Sequence, residues 1–416
     1  MLRRFWHFAS DQVEKRIFRA FGWRTYITSL RSREVLQHPS KTIGQLYIDI
    51  SAICQDDAAT GIQRVVRAVA FLLDDMHGPC SRLRFVYTVK NRHYIVRFED
   101  NNYIKTTEPI LYKSGDTFFG LDYSLDTIWR MRRELRRMKL NGVRFWYLVH
   151  DFLPYTHPEW FSAMTALRFH NWLAVIAGTA DGFFCVSQPV AGQLHSIMAR
   201  VFGISSEYAI EVIPMGWDIS DSRPSTGLPE NFDTLITKIR NAPSLLMVGT
   251  IEPRKGHREV LQAMEVLWRS GSDAQLVLVG GEGWKMSEFV AQLASHSEIG
   301  ERLFWVGKVS DEALVKLYGA CSGVLVASLA EGFGLPLVEA LGHAKPVLAR
   351  RLEVFEVHAG HGLTFFDEVI DAKALAAAIA NWLSSKSGCG DIRPGTLSSW
   401  KDTANFISKK LMHPSS

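Results

Sequence analysis

Five short apolar runs, SLLMVG, AQLVLVG, RLFWVG, GVLVA and KPVLA, follow one another from Ser244 onward, with helical patterns between most of them. Runs this short, punctuated by glycine and separated by amphipathic stretches, suit strands of a parallel sheet covered by helices on both faces. A first series with the same alternation begins at Gln45. Its strands read LYIDIS, RLRFVYTVK with HYIVRF as a hairpin around Lys90–His93, DTFFGLD, VRFWYLVHD, DGFFCVS and EVIPMG. Helical patterns fall over TGIQRVVRAVAFLLDDM, TIWRMRRELRRMKL, from about Pro158, and from Gln188. Between the two series, SDSRPSTGLPE is rich in turn formers and reads as a connection. The chain therefore divides into a segment 1–40, a Rossmann-like domain 41–220, a linker 221–243, a second Rossmann-like domain 244–390, and a terminal amphipathic helix around Trp400 within 391–416.

The 416 residues suffice for two domains with large cores. A net charge of +4 is too small to argue for nucleic acid. The five cysteines are dispersed without a C-x-x-C pair, which fits a reducing compartment and points to neither a disulfide framework nor a zinc site. No apolar run approaches the roughly 20 residues that span a bilayer, and no secretion signal stands at the start. A cytoplasmic location is the expectation.

The chemistry concentrates at strand ends. SLAEGFGLPLVE (Ser328–Glu339) follows the apolar run Gly323–Ala327 and places Glu331 and Glu339 on either side of a glycine turn that opens a helix. In doubly wound sheets ligands sit at such a place, and the exposed amides at Phe333, Gly334 and Leu335 favour an anion such as a diphosphate. Glu339 is then placed to accept from a ribose diol, and Glu331 to hold hydroxyls of a sugar. VGTIEPRKGH (Val248–His257) presents Arg254 and Lys255 after the first strand of the same sheet, two cations suited to a leaving diphosphate. GGEGW (Gly280–Trp284) is a further glycine turn on this edge and lines the cleft. It does not make the G-x-G-x-x-G fingerprint, which disfavours a dehydrogenase. In the first series, Thr60 caps the helix that Gly61 opens, and Arg64 lies one turn in. His150 and Asp151 end a strand.

The E-x7-E spacing of Glu331 and Glu339, together with these segments, resembles retaining glycosyltransferases of the GT-B fold, family 4 (glycosyltransferase group 1). The likeness extends to bacterial O-antigen and exopolysaccharide mannosyl- or rhamnosyltransferases. It runs from about Leu46 to Trp400 and is densest after Ser244. It implies an α/β architecture of two Rossmann-like domains facing each other across a cleft, the terminal helix crossing back to the first. It also implies catalytic roles for His150, Glu331, Arg254 and Lys255. Donor contacts would come from Gly61, Arg254, Lys255, Glu339, Phe333–Leu335, and backbone groups at Val306, Gly307 and Lys308 beside the base. His150, Asp151 and Pro154 match the family's H-D-x-x-P context. The family's earlier arginine position is occupied by Thr250, with Arg254 adjoining the lysine instead.

The resemblance implies retention of configuration, with GDP-mannose favoured as donor over UDP- or dTDP-linked sugars such as dTDP-rhamnose. It implies a saccharide or lipid-linked saccharide acceptor, in lipopolysaccharide or other surface-polysaccharide synthesis. Without a D-x-D element at a strand end, no metal and no cofactor is expected. Arg130, Arg132, Arg133, Arg136, Arg137 and Lys139 on one helix, and the aromatic-arginine mixture of residues 1–40, suit an anionic membrane surface. That makes the inner face of the cytoplasmic membrane the expected location for a peripheral enzyme. A nucleotide-sugar 2-epimerase and a non-catalytic membrane-bound scaffold are the alternatives.

Overall fold

The switch in strand order near the middle of each sheet is what builds the site. The computed structural model describes residues 44–57, 60–78, 81–99, 102–360, 362–385 and 397–412, so the basic segment expected over 1–40 lies outside the described residues. The C-terminal sheet contains β9 (Ser244–Val248), β10 (Gln275–Val279), β11 (Leu303–Gly307), β12 (Gly323–Val326), β13 (Val347–Arg350) and β14 (Leu363–Phe366). Their order is β11-β10-β9-β12-β13-β14, with every pairing parallel. The order of strand succession reverses between β9 and β12, which places the loops leaving those two strands side by side. The crevice between them is where such sheets take ligands.

The N-terminal sheet orders β4-β3-β2-β1-β5-β6-β7-β8. Here β1 (Leu46–Asp49), β2 (Leu83–Val89), β5 (Thr117–Gly120), β6 (Arg144–Val149), β7 (Gly182–Cys185) and β8 (Ala209–Val212) are parallel. The strands β3 (Arg92–Glu99) and β4 (Asn102–Pro109) extend the edge as antiparallel hairpins. The strand β4 was not expected: NYIKTTEP is polar and largely exposed, and only its pairing with β3 holds it extended.

The stretch 221–243, read as a linker, contains the helix Phe232–Arg240. Phe232 and Ile239 of that helix join the C-terminal core, so part of the connection is packed structure. The turn formers ahead of it obscured an amphipathic stretch of only nine residues. The helix from about Pro158 starts later, at Ala163 with Ser162 as its N-cap, after a 3-10 turn Pro158–Trp160.

The last helix, Trp400–Met412, buries Trp400, Ala404, Ile407 and Leu411 in the core of the N-terminal domain. Thr403 Oγ1 donates to the carbonyl of Pro214 and Ser408 Oγ meets His77 Nε2 at 2.8 Å. Complete burial of one Ile or Leu is worth about 1.5–3 kcal/mol, so this contact is a substantial part of that domain's stability. The chain thus crosses back, as expected from the resemblance.

Candidate active site

Two loops at the switch point of the C-terminal sheet supply the charged groups. After β9 the chain makes the 3-10 turn Pro253–Lys255; after β12 it runs through Ser328–Gly334 into the helix Leu335–Gly342. The amide of Leu329 donates to the carbonyl of Arg254 at 2.7 Å and ties the loops together. Gly334 takes φ +93°, a left-handed conformation that a side chain disfavours, and turns the chain into the helix. Pro336 sits in the first turn, where a missing N–H costs nothing.

Glu331 binds these parts into one unit. Its Oε1 accepts from Lys255 Nζ at 2.5 Å and Ser328 Oγ at 2.7 Å; its Oε2 accepts from Arg254 Nη1 at 3.0 Å. Arg254 also pairs with Glu252 Oε1 at 2.7 Å. Burial alone would raise the Glu331 carboxyl, but Lys255 and Arg254 outweigh it and bring the pKa down to about 2. Glu331 and Glu252 keep Arg254 charged despite its burial. In this structure the two cations are therefore partnered by carboxylates. Lys255 has three N–H donors, of which Glu331 takes one, so the ammonium can serve an anion as well.

The N-terminal domain closes the other side. Thr60 forms a capping box with Gln63 at the start of the helix Gly61–His77. A methyl group built on Gly61 would meet Leu335 Cδ1 at 3.5 Å, so the starts of two helices confront each other across the cleft. Both helices start at the cleft and so turn a positive dipole end toward it. Gly332 lies so close to the other domain that a Cβ would fall 1.9 Å from the carbonyl oxygen of His150. Ser187 Oγ donates to the carbonyl of Gly332 at 2.6 Å. Together these walls enclose a cleft of about 420 Å³, lined by Gly61, Arg64, His150, Arg254, Lys255, Lys308, Glu331, Phe333–Leu335 and Glu339.

His150 ends β6 and is buried, with its ring edge-on to Tyr123 at 5.1 Å. Burial lowers its pKa to about 3, so the imidazole is neutral at physiological pH. A hydrogen bond to the backbone of Leu121 engages one nitrogen, while Nε2 is buried without a partner, and the residue lines the cleft. A ring that donates to a backbone carbonyl leaves its second nitrogen as an acceptor, suited to a hydroxyl.

Glu339, expected to accept from a ribose diol, lines the cleft and already has protein partners in this structure. It is buried; Oε1 is bonded by Arg64 and Oε2 accepts from Tyr318 OH at 2.9 Å. Arg64 also reaches Asp311 Oδ1 at 2.7 Å, and Asp311 Oδ2 takes the amide and hydroxyl of Ser225. The partners Asp311 and Tyr318, and the contact of the helix cap Ser187 with Gly332, were not identified from the sequence. Their contacts join positions far apart in the chain, and no local motif marks them. Val306 and Gly307 end β11, where the carbonyl of Gly307 accepts from the amide of Gly280 at 2.8 Å. Lys308 follows them into the cleft beside Gly281. Among the described residues no helix is long and apolar enough to cross a membrane.

Two doubly wound domains with a cationic crevice at their facing edges define the GT-B fold. Solved structures agree: HepE of Anabaena in complex with UDP and glucose superposes with a TM-score of 0.61 at 17% identity, covering 89% of this chain and 100% of that one. WaaG, a glycosyltransferase involved in lipopolysaccharide biosynthesis, gives 0.56 at 13% identity over 89% and 100%. Residues 235–394 match the family described as glycosyl transferases group 1, so the chain carries a domain of that family on a GT-B frame. It is similar to the serotype-specific mannosyltransferase WbdA of Escherichia coli, 33% identical over 381 residues. That alignment takes in 88% of this chain and 46% of WbdA, so the chain spans about half the length of that relative.

Proposed function

We propose that this chain is a retaining, metal-independent hexosyltransferase, moving mannose from GDP-mannose to a saccharide acceptor in the synthesis of bacterial O-antigen or a related surface polysaccharide. The reading rests on one observation above the others: Arg254 and Lys255 from the β9 loop share Glu331 with the β12 loop inside a single cleft. The choice of mannose rests on the similarity to WbdA.

In the proposed reaction the bond between the anomeric carbon and the diphosphate oxygen breaks, and its electron pair leaves with the phosphate. Arg254, Lys255 and the amides at Phe333–Leu335 carry the charge that accumulates there. The acceptor hydroxyl forms the new bond from the same face and passes its proton to the departing phosphate oxygen. His150 Nε2 accepts from a hydroxyl of the transferred sugar. Glu331, held between two cations and a serine, positions the phosphate-binding groups. Val306–Lys308 border the base. Domain closure excludes water, which would otherwise hydrolyse the donor.

A lipid-linked acceptor, delivered at the inner face of the cytoplasmic membrane, is part of the proposal. Arg130 and Arg137 are exposed on the helix Ile128–Leu140 of the N-terminal domain, and cations near an anionic bilayer contribute about 1 kcal/mol each. The experiment is transfer from GDP-mannose, UDP-glucose and dTDP-rhamnose to a mannose-terminated acceptor in EDTA, with the product's anomeric configuration read by NMR. Transfer from none of them would refute the enzymatic reading and favour a scaffold. An inverted product would refute retention.

A further inference from the structure

Part of the cleft is aromatic, and this lining is continuous with the reaction centre. Phe169 lies 5.9 Å from Tyr123, whose ring is 5.1 Å from that of His150. Further out, Phe161 of the N-terminal domain and Trp284 of the C-terminal domain approach to 5.6 Å between ring centroids, at 30°. Both line the cleft, yet Trp284 remains 42% exposed.

Trp284 is held from two sides. Its indole N–H donates to the carbonyl of Trp160 at 2.6 Å, and the neighbouring Lys285 Nζ donates to the carbonyl of Glu159 at 2.6 Å. At its base the turn is pressed against the β9 loop: Glu282 bridges Ile251, and a Cβ on Gly283 would meet the carbonyl oxygen of Ile251 at 2.7 Å. The polar atom of the indole is thus satisfied within the protein, while much of its apolar surface stays in water. Ligand pockets are lined mainly by apolar and aromatic side chains, and a fixed, uncovered ring in this cleft is placed to be one.

We propose that Trp284, backed by Phe161, forms an aromatic platform on which a pyranose of the saccharide acceptor stacks. The C–H groups on one face of a pyranose carry partial positive charge and pack against the negative face of an aromatic ring. The platform takes one ring from each domain, so Phe161 supports Trp284 only when the cleft is closed. A donor anchored at Arg254 and Lys255 on the C-terminal domain does not require Phe161. An acceptor arriving from the N-terminal side does. Lys285 and the Glu159 carbonyl beside the rings suit hydroxyl groups better than an acyl chain.

This assignment rests on the proposed transfer reaction, and its test separates the two. Lipid-free mannotriose is titrated into wild type, W284A, W284F and F161A, with and without GDP, while tryptophan fluorescence and calorimetry report binding. GDP-induced thermal shifts are measured on the same proteins. Binding to wild type is expected to weaken at least 10-fold in W284A and F161A and to recover to within about 3-fold in W284F. The GDP shift should be unchanged in all of them. Equal mannotriose affinity in wild type and W284A, or no binding to wild type, would overturn the platform. The same holds if only a lipid-linked acceptor responds to W284A, which would make the rings a site for the lipid. A wild-type protein that binds mannotriose but ignores GDP, UDP, dTDP and ADP would instead overturn the nucleotide-sugar reading and leave the platform standing.

Discussion

The guanidinium of Arg64, in the first turn of an N-terminal helix, bonds the carboxylate of Glu339, which lies 275 positions later and in the other domain. With Asp311 as second acceptor, this is a buried, charged tie across the cleft. It occupies the carboxylate that sequence reasoning assigned to a ribose. A donor that uses Glu339 must therefore share it with Arg64 or shift the guanidinium toward Asp311.

Arg64→Ala should destabilise the closed protein by about 3–5 kcal/mol, because two buried carboxylates lose their counter-charge. Urea unfolding of R64A, E339A and the double variant tests this. The double variant should be less damaged than the sum of the single ones. Strict additivity would mean that the two groups do not interact.

Lys255→Ala leaves Glu331 paired with Arg254 and Ser328. The fold should persist, with circular dichroism unchanged, while kcat falls about 10²–10³-fold through loss of one donor to the departing phosphate. Retention of full activity would remove Lys255 from the chemistry.

Gly332→Ala has no room, since its new carbon would overlap the His150 carbonyl at 1.9 Å. Backbone cannot rotate away as a side chain can, so the domains must part. Small-angle scattering should show a larger radius of gyration, and activity should drop at least about 10-fold as water enters the site. An unchanged scattering profile would mean the loop yields instead of the interface.

Two kinds of carboxyl give opposite pH dependences. Glu331, at about 2 in the folded chain against 4.5 unfolded, adds stability that is complete above pH 4.5 and disappears as pH falls toward 2. Asp122 is raised from 3.8 to about 7, first by burial, although the amide of Ile53 donates to it at 2.7 Å. In the folded state it holds its proton longer, so its contribution is greatest below pH 3.8 and is lost as pH rises through 7. Asp122→Asn should flatten the decline in stability between pH 4 and 7, and Glu331→Gln the decline between pH 4.5 and 2. Thermal unfolding across pH 2–8 reads both, and parallel curves for D122N and wild type would exclude Asp122 as the source.

Five strands of the C-terminal domain were legible because each is a short apolar run, three of them ended by glycine, and Arg254, Lys255, Glu331 and the helix start at Leu335 were legible because motifs mark strand ends. The strand β14 was missed: it is only four residues, LTFF, beside a glycine-rich turn. Placement of two loops beside each other follows from the order β10-β9-β12, which no local pattern encodes. Long-range pairs such as Arg64 with Glu339 and Ser187 with Gly332 are set by tertiary packing. Their residue types look ordinary in sequence: an arginine on a helix and a serine cap.

The seat of Trp400, Ala404, Ile407 and Leu411 has a consequence for biogenesis. The domain translated first lacks part of its own interior until the ribosome has made everything as far as Met412. While the second domain is being synthesised, the first must wait with an apolar groove uncovered, a state prone to association with other chains or to chaperone capture.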